Sequence, residues 1–205
     1  MHQVETELKW ALDVAGHAAL EGQLTAHHGP PRVLAQVNRF FDTPDLRLRQ
    51  SLMNLRLRSE NGRVLMTCKR RRGNGESGLH THDEWEEWLP ANILDLPTAD
   101  LVKTLPLPSE ACSVIGDSSI VNQGHFSNRR LEWHVGGDLL CLDATDFGVR
   151  LDHELEIETS DPAGAHARWS SALATWQISW RPEPTTKFKR FLTLMAAERV
   201  QPGGK

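Results

Sequence analysis

No stretch of the 205-residue sequence approaches the roughly 20 consecutive apolar residues that a membrane-spanning helix needs. The first residues are acidic and polar, without the basic start and apolar segment of a secretory leader. A cytoplasmic protein with no membrane partner is therefore expected. Cysteine is scarce: Cys68, Cys112 and Cys141 are odd in number and lack the paired spacing of a zinc site, which fits reduced thiols. A basic excess is missing too. With 23 Lys and Arg against 27 Asp and Glu the net charge is −4, so a nucleic-acid partner is not expected. No fixed-period repeat, low-complexity tract or linker divides the chain, which reads as one domain over residues 1–200 with a short tail at 201–205. No Ser-His-Asp arrangement stands out. The stretch Gly73-Asn74-Gly75 lacks the Lys-Ser/Thr of a phosphate-binding loop.

What the chain does have is two-residue alternation. Residues 3–9, 33–41, 52–59, 63–71, 79–89, 126–135, 139–144 and 154–159 read as strands. Asn61-Gly62 between two alternating runs is a strong hairpin signal, and Gly136-Gly137 marks another. Asp42-Thr43-Pro44-Asp45 reads as a turn and 72–77 as a loop. Helices are expected at 13–27, 93–105 (with Pro97 starting or interrupting it), 163–176 and 187–198. Eight strands with a few helices suit an α+β fold: a closed eight-stranded antiparallel barrel with flanking helices.

The charges follow the same period. Residues two apart in a strand share a face. Glu5, Glu7 and Lys9 fall on one face of their strand, as do Arg56 with Arg58, Lys69 with Arg71, Glu84 with Glu86, and Glu154 with Glu156 and Glu158. Leu8, Leu55, Leu57, Trp85, Leu155 and Ile157 lie between them and must pack on the other side. For any one strand a solvated outer face explains the charges. Across strands, acids and bases are sorted, and like charges side by side repel. An acidic wall for divalent metal and a basic wall for polyphosphate inside a barrel account for that sorting. Cys68 and Cys141 are expected on the apolar side. His80-x-His82-x-Glu84 reads as exposed strand histidines rather than a transition-metal site, and Arg70-Arg71-Arg72 as a solvated turn. Trp169, Trp176 and Trp180 read as helix packing.

Glu5-x-Glu7-x-Lys9 resembles the opening motif of the CYTH superfamily, the triphosphate tunnel metalloenzymes. The likeness continues along the chain through Phe40-Phe41-Asp42-Thr43-Pro44, Leu55-Arg56-Leu57-Arg58, and the hairpin Glu60-Asn61-Gly62-Arg63 leading to Lys69. Gly78-Leu79-His80 before Glu84, Arg130-Leu131-Glu132-Trp133, Leu142-Asp143, the Glu154–Glu158 row and Thr186-Lys187-x-x-Arg190 follow in family order. The resemblance implies a single triphosphate tunnel domain that hydrolyses a small-molecule triphosphate with Mg²⁺ or Mn²⁺, two ions in all. Glu5, Glu7, Asp143, Glu154, Glu156 and Glu158 are then the metal-ligand candidates. Lys9, Arg56, Arg58, Lys69, Arg130, Lys187 and Arg190 are the phosphate-binding candidates, with Lys9, Glu5 and Glu7 closest to the chemistry.

Inorganic triphosphate is the first expected substrate. Thiamine triphosphatase, class IV adenylate cyclase, and nucleoside or RNA 5′-triphosphatase activities share the architecture, and a non-catalytic polyphosphate binder stands as another class. A homodimer is compatible with the family. His82 stands where bacterial relatives often carry Arg, and Cys141 where some carry Asp. The alternation leaves open which of Glu154, Glu156 and Glu158 would hold metal.

Overall fold

The alternation resolves into strands and helices in a computed structural model that describes residues 1–72 and 78–200. In chain order the elements are β1 (His2–Leu12), α1 (Val14–His28), β2 (Arg32–Asp42), α2 (Arg47–Gln50), β3 (Met53–Glu60), β4 (Arg63–Arg72), β5 (Leu79–Leu89), α3 (Thr98–Thr104), α4 (Ser109–Ile115), β6 (Val121–Val135), β7 (Asp138–Asp146), β8 (Leu151–Glu158), α5 (Pro162–Thr175), β9 (Arg181–Pro182) and α6 (Lys187–Val200). Hydrogen bonding runs β5-β4-β3-β2-β6-β7-β8-β1, and β1 pairs again with β5. The eight strands thus close into an antiparallel barrel, with β9 added to β1.

Local chemistry explains most boundaries. Asn61 and Gly62 both have positive φ, 47° and 77°, which a two-residue primed turn requires, and they set the register of β3 on β4 with Glu60 opposite Arg63. Asp13 caps α1 by accepting from the Gly16 N–H at 2.6 Å, and Gly29, at φ 83°, ends it. Asp161 caps α5 in the same way, with Pro162 in the first turn, where its missing N–H is not needed.

Some expectations needed correction. The helix expected over 93–105 is broken into a 3-10 turn at Ala91–Asp95 and α3, with Pro97 just ahead of Thr98. Proline bars the residue before it from helical geometry, so the helix restarts rather than runs through. Pro108 does the same before α4, which the periodicity did not reveal. The short α2 was also missed. It is held by Asp42, whose carboxylate accepts from the N–H groups of Leu48 at 2.9 Å and Arg49 at 3.1 Å. Of the loop expected at 72–77, Arg72 is instead the last residue of β4, and residues 73–77, like the expected tail at 201–205, lie outside the described residues.

By packing the chain divides into two units, with β1, β2, β5 and β6 each contributing to both. Among the described residues, one comprises 1–6, 34–72 and 81–128. Its core joins Leu55, Leu57, Met66 and Cys68 from β3 and β4 to Leu48, Leu101, Ala111 and Ile115 from the helices. The other comprises 7–33, 78–80 and 129–200. Its core joins Leu8, Trp10, Leu131, Leu140, Leu142, Leu155 and Ile157 to Leu20 and Leu24 of α1 and Ala165, Trp169 and Leu173 of α5. Trp180 stacks on Trp10 at 4.0 Å, so this tryptophan packs on a strand residue from outside any helix. Each fully buried leucine or isoleucine contributes about 1.5–3 kcal/mol. That drive fixes which face of each strand turns to the helices and leaves the alternate, charged residues on the opposite face.

Candidate functional site

In the second unit the register of three strands gathers the charges. Lys9 of β1 stands opposite Glu156 of β8, and Asp143 of β7 opposite Glu154. Arg130 on β6 grips Asp143 through two parallel bonds of 2.9 and 2.7 Å and also pairs with Glu156. Lys9 pairs with Glu156 and lies 3.0 Å from Glu7. Lys187 and Arg190 enter from the first turn of α6, three residues apart and so on one side of the helix. Lys187 reaches Asp143 at 2.7 Å, Glu156 at 2.8 Å and Glu154. Arg190 holds Glu154, with Asp152 at 3.0 Å and Glu183 at 3.5 Å.

Asp143, Glu154 and Glu156 are all buried, and one oxygen of each lies within 4.8 Å of the others. Oxygen donors of this kind suit a hard divalent cation such as Mg²⁺ or Mn²⁺. Glu158 sits at the margin, half-exposed and 4.0 Å from Arg130.

The neighbours decide the protonation. Burial opposes ionisation of Glu156, but Lys187, Lys9 and Arg130 hold its pKa well below the usual carboxylate range. Burial likewise opposes ionisation of Asp143, and Arg130 and Lys187 outweigh it. Burial also works against the Lys9 ammonium, while Glu156, Glu7 and Glu154 hold its pKa well above the ordinary lysine value. Lys187 is raised by Asp143, Glu154 and Glu156 against the same burial penalty. These groups are all charged near neutral pH, and neither lysine has a lone pair to act as a base.

The first unit carries its own charged set. Lys69 pairs with Glu5 and lies 3.1 Å from Glu84. Burial disfavours the Glu84 carboxylate, but Lys69 and Arg56 lower its pKa. Burial and Glu84 together raise that of Glu86. Arg56 contacts Thr67 at 3.3 Å, and Arg58 lies 3.2 Å from Glu60. His82 lies 3.8 Å from Glu5.

The structure therefore brings Glu7, Lys9, Arg130, Asp143, Glu154, Glu156, Lys187 and Arg190 into one cluster, and Glu5, Arg56, Arg58 and Lys69 onto the charged face of the first unit. It differs from a separate acidic and basic wall: in each unit bases stand between acids, because burial forces each charge to find a counter-charge. Cys141 is not on the apolar side. It lies opposite Glu156 on the charged face, where burial first and then Glu158, Asp143 and Glu156 push its thiol pKa far up. Cys68 does lie in the apolar core, and burial pushes its thiol up to about 12. His80 and His82 are buried rather than exposed, His80 bonding to the carbonyl of Glu183 at 3.0 Å. Arg70 and Arg72 belong to β4 and hold Asp83.

Two members were missed. Asp152 continues the alternation of Glu154, Glu156 and Glu158 by one step and was open to inspection. Glu183 follows the two-residue β9, too short to show a period. Its N–H donates to the Lys9 carbonyl at 2.8 Å. Gly78 lies against that same carbonyl: a β-carbon there would come within 2.6 Å, so only glycine fits.

Comparison with known proteins places this arrangement among similar ones. The model of the CYTH domain family matches residues 3–178. The chain is 26% identical over 159 residues to a Bacillus subtilis protein named "Putative triphosphatase YjbK", spanning 76% of this chain and 78% of that one. A solved structure from Hippeastrum, HpAC1, described as a "putative adenylyl cyclase" with a dominant triphosphatase activity, superposes with a TM-score of 0.83. It is 25% identical and covers 92% of this chain and 95% of its own. A Bacillus halodurans structure described as a "putative adenylate cyclase" gives a TM-score of 0.73 at 25% identity, over 93% of this chain and 98% of that one.

Proposed function

The chain belongs to the CYTH domain family, and from that premise we propose that it hydrolyses a triphosphate with a divalent cation, inorganic triphosphate being its first substrate. The observation that carries this reading is the buried trio Asp143, Glu154 and Glu156 interleaved with Lys9, Arg130, Lys187 and Arg190. The carboxylates suit a hard cation and the basic groups suit phosphate oxygens. The activity described for HpAC1 and the name of YjbK support hydrolysis over cyclisation.

In this reading Asp143, Glu154 and Glu156 hold Mg²⁺ or Mn²⁺, with Glu7 and Glu158 beside them, and Glu5 is a further metal-ligand candidate within the first unit. Two ions are proposed. Bound metal supplies charge neutralisation on the phosphoryl oxygens and a more acidic water. Lys9, Arg130, Lys187 and Arg190, and in the first unit Arg56, Arg58 and Lys69, bind phosphate oxygens. Lys9 acts as a fixed charge and hydrogen-bond donor, since its raised pKa keeps it protonated. Charge neutralisation and positioning are what phosphoryl transfer chiefly asks of a protein, and no nucleophilic side chain is required. Water adds to one terminal phosphorus, the anhydride bond breaks, and pyrophosphate and phosphate leave.

A phosphate-release panel tests the reading. It compares inorganic triphosphate, thiamine triphosphate, ATP and pyrophosphate with Mg²⁺ and Mn²⁺, and assays cyclic AMP on the ATP sample. Fastest release from inorganic triphosphate is expected. Cyclic AMP as the main product, or binding without turnover of any substrate, would replace the assignment.

A further inference from the structure

We infer that Asn128, Gln36 and Glu60 form a buried relay that positions Arg58 for the triphosphate, setting affinity without touching substrate. The inference rests on the reading above, which gives Arg58 to phosphate oxygens.

The relay crosses three neighbouring strands, β6, β2 and β3. The Asn128 Nδ2 donates to the Gln36 Oε1 at 3.1 Å, and the Gln36 Nε2 donates to the Glu60 Oε2 at 3.0 Å. The Arg58 Nε lies 3.2 Å from that same oxygen. Gln36, Glu60 and Asn128 are 3%, 5% and 5% exposed, so water competes poorly for these bonds. The chain has one sense. With its oxygen engaged by Asn128, Gln36 turns its NH₂ to Glu60, and the opposite rotamer would set oxygen against carboxylate. Glu60 is thereby fixed as an acceptor two residues from Arg58 on the same face of β3.

Arginine is a long side chain with a planar fork of donors. The Arg58 Nε makes no hydrogen bond, but the ion pair with Glu60 draws that end of the fork to the carboxylate and leaves the terminal nitrogens for a second partner. A fork held beforehand loses less freedom when ligand arrives, and this is how preorganisation raises affinity. A carboxylate beside a phosphate-binding cation otherwise weakens its attraction for anions. The relay gives that carboxylate a reason to be there: orientation in exchange for part of the charge.

The test uses Gln36→Met, which removes the relay bonds while leaving the charges of Glu60 and Arg58 in place. Asn128→Ala is a second variant. Circular dichroism first establishes that each variant is folded. For inorganic triphosphate, KM should rise about fivefold with kcat within about twofold, and metal-free triphosphate binding should weaken in parallel. In an Arg58→Ala background, Gln36→Met should add little further rise, because its effect passes through Arg58. An unchanged KM in both variants, or the same rise with and without Arg58, overturns the inference while the triphosphatase reading stands. A folded wild-type protein that neither binds nor cleaves triphosphate removes that reading and the relay's role with it.

Discussion

The Lys187 ammonium lies 2.7 Å from a carboxylate oxygen of Asp143, a side chain with no exposed surface. A lysine from the start of α6 thus neutralises a carboxylate that also belongs to the oxygen trio suited to metal. Lys187→Met should lower the unfolding free energy by about 3 kcal/mol in metal-free buffer, since it leaves buried acids short of a counter-charge. Divalent cation should then restore more stability to the variant than it adds to the wild type. Thermal unfolding with and without Mg²⁺ reads both effects. An equal metal shift in the two proteins would mean that Lys187 and the cation do not share these carboxylates.

Glu7 lies 3.0 Å from Lys9 and is buried. Replacing it with Gln keeps the shape and removes one negative charge. Glu7→Gln should cut triphosphate hydrolysis by at least about tenfold while the circular dichroism spectrum stays native. Steady-state rates across a Mg²⁺ titration check this, and near-normal turnover would remove Glu7 from the metal assignment.

Arg58→Ala should raise KM for inorganic triphosphate about tenfold or more, the loss expected for one charge-assisted contact. Initial-rate kinetics measure it. An unchanged KM would show that the Arg58 fork serves only Glu60.

The Asp83 carboxyl is held at about 2, below its ordinary 3.8, by hydrogen bonds from Arg72, then Arg70 and His2. A depressed carboxyl contributes stability above its unfolded pKa and loses it as pH falls through the folded one. Wild type should therefore be more stable than Asp83→Asn near neutral pH, with the gap closing from about pH 4 to about pH 2. Urea unfolding at a series of pH values follows the gap. A gap constant across that window would contradict the ion-pair account.

Much of this was legible because a strand repeats every two residues. Glu154, Glu156 and Glu158 announced one charged face, and Asn61-Gly62 announced a hairpin whose register puts Arg56 and Arg58 alongside Thr67 and Leu65. The resemblance to CYTH proteins ordered these pieces, and the family match over residues 3–178 bears it out. Periodicity says which residues share a face, but not what stands across from them. Separate acidic and basic walls were expected for that reason, whereas Arg130, Lys9 and Lys187 stand among the acids. The orientation of Cys141 was within reach of the period: Leu140 and Leu142 flank it and Asp143 lies two residues on, so it shares the charged face, and the register sets it opposite Glu156. Short elements such as β9 and α2 carry too few residues to show a period. The relay through Gln36 and Asn128 is built from neutral amides 92 positions apart, which no charge pattern marks.

The most direct test is to incubate the purified protein with inorganic triphosphate and follow the products by ³¹P NMR, with Mg²⁺ or Mn²⁺ present and again in excess EDTA. Equimolar pyrophosphate and phosphate with metal, and intact triphosphate in EDTA, are the predicted results. Intact triphosphate with both metals, or cleavage undiminished by EDTA, would contradict a metal-dependent triphosphatase.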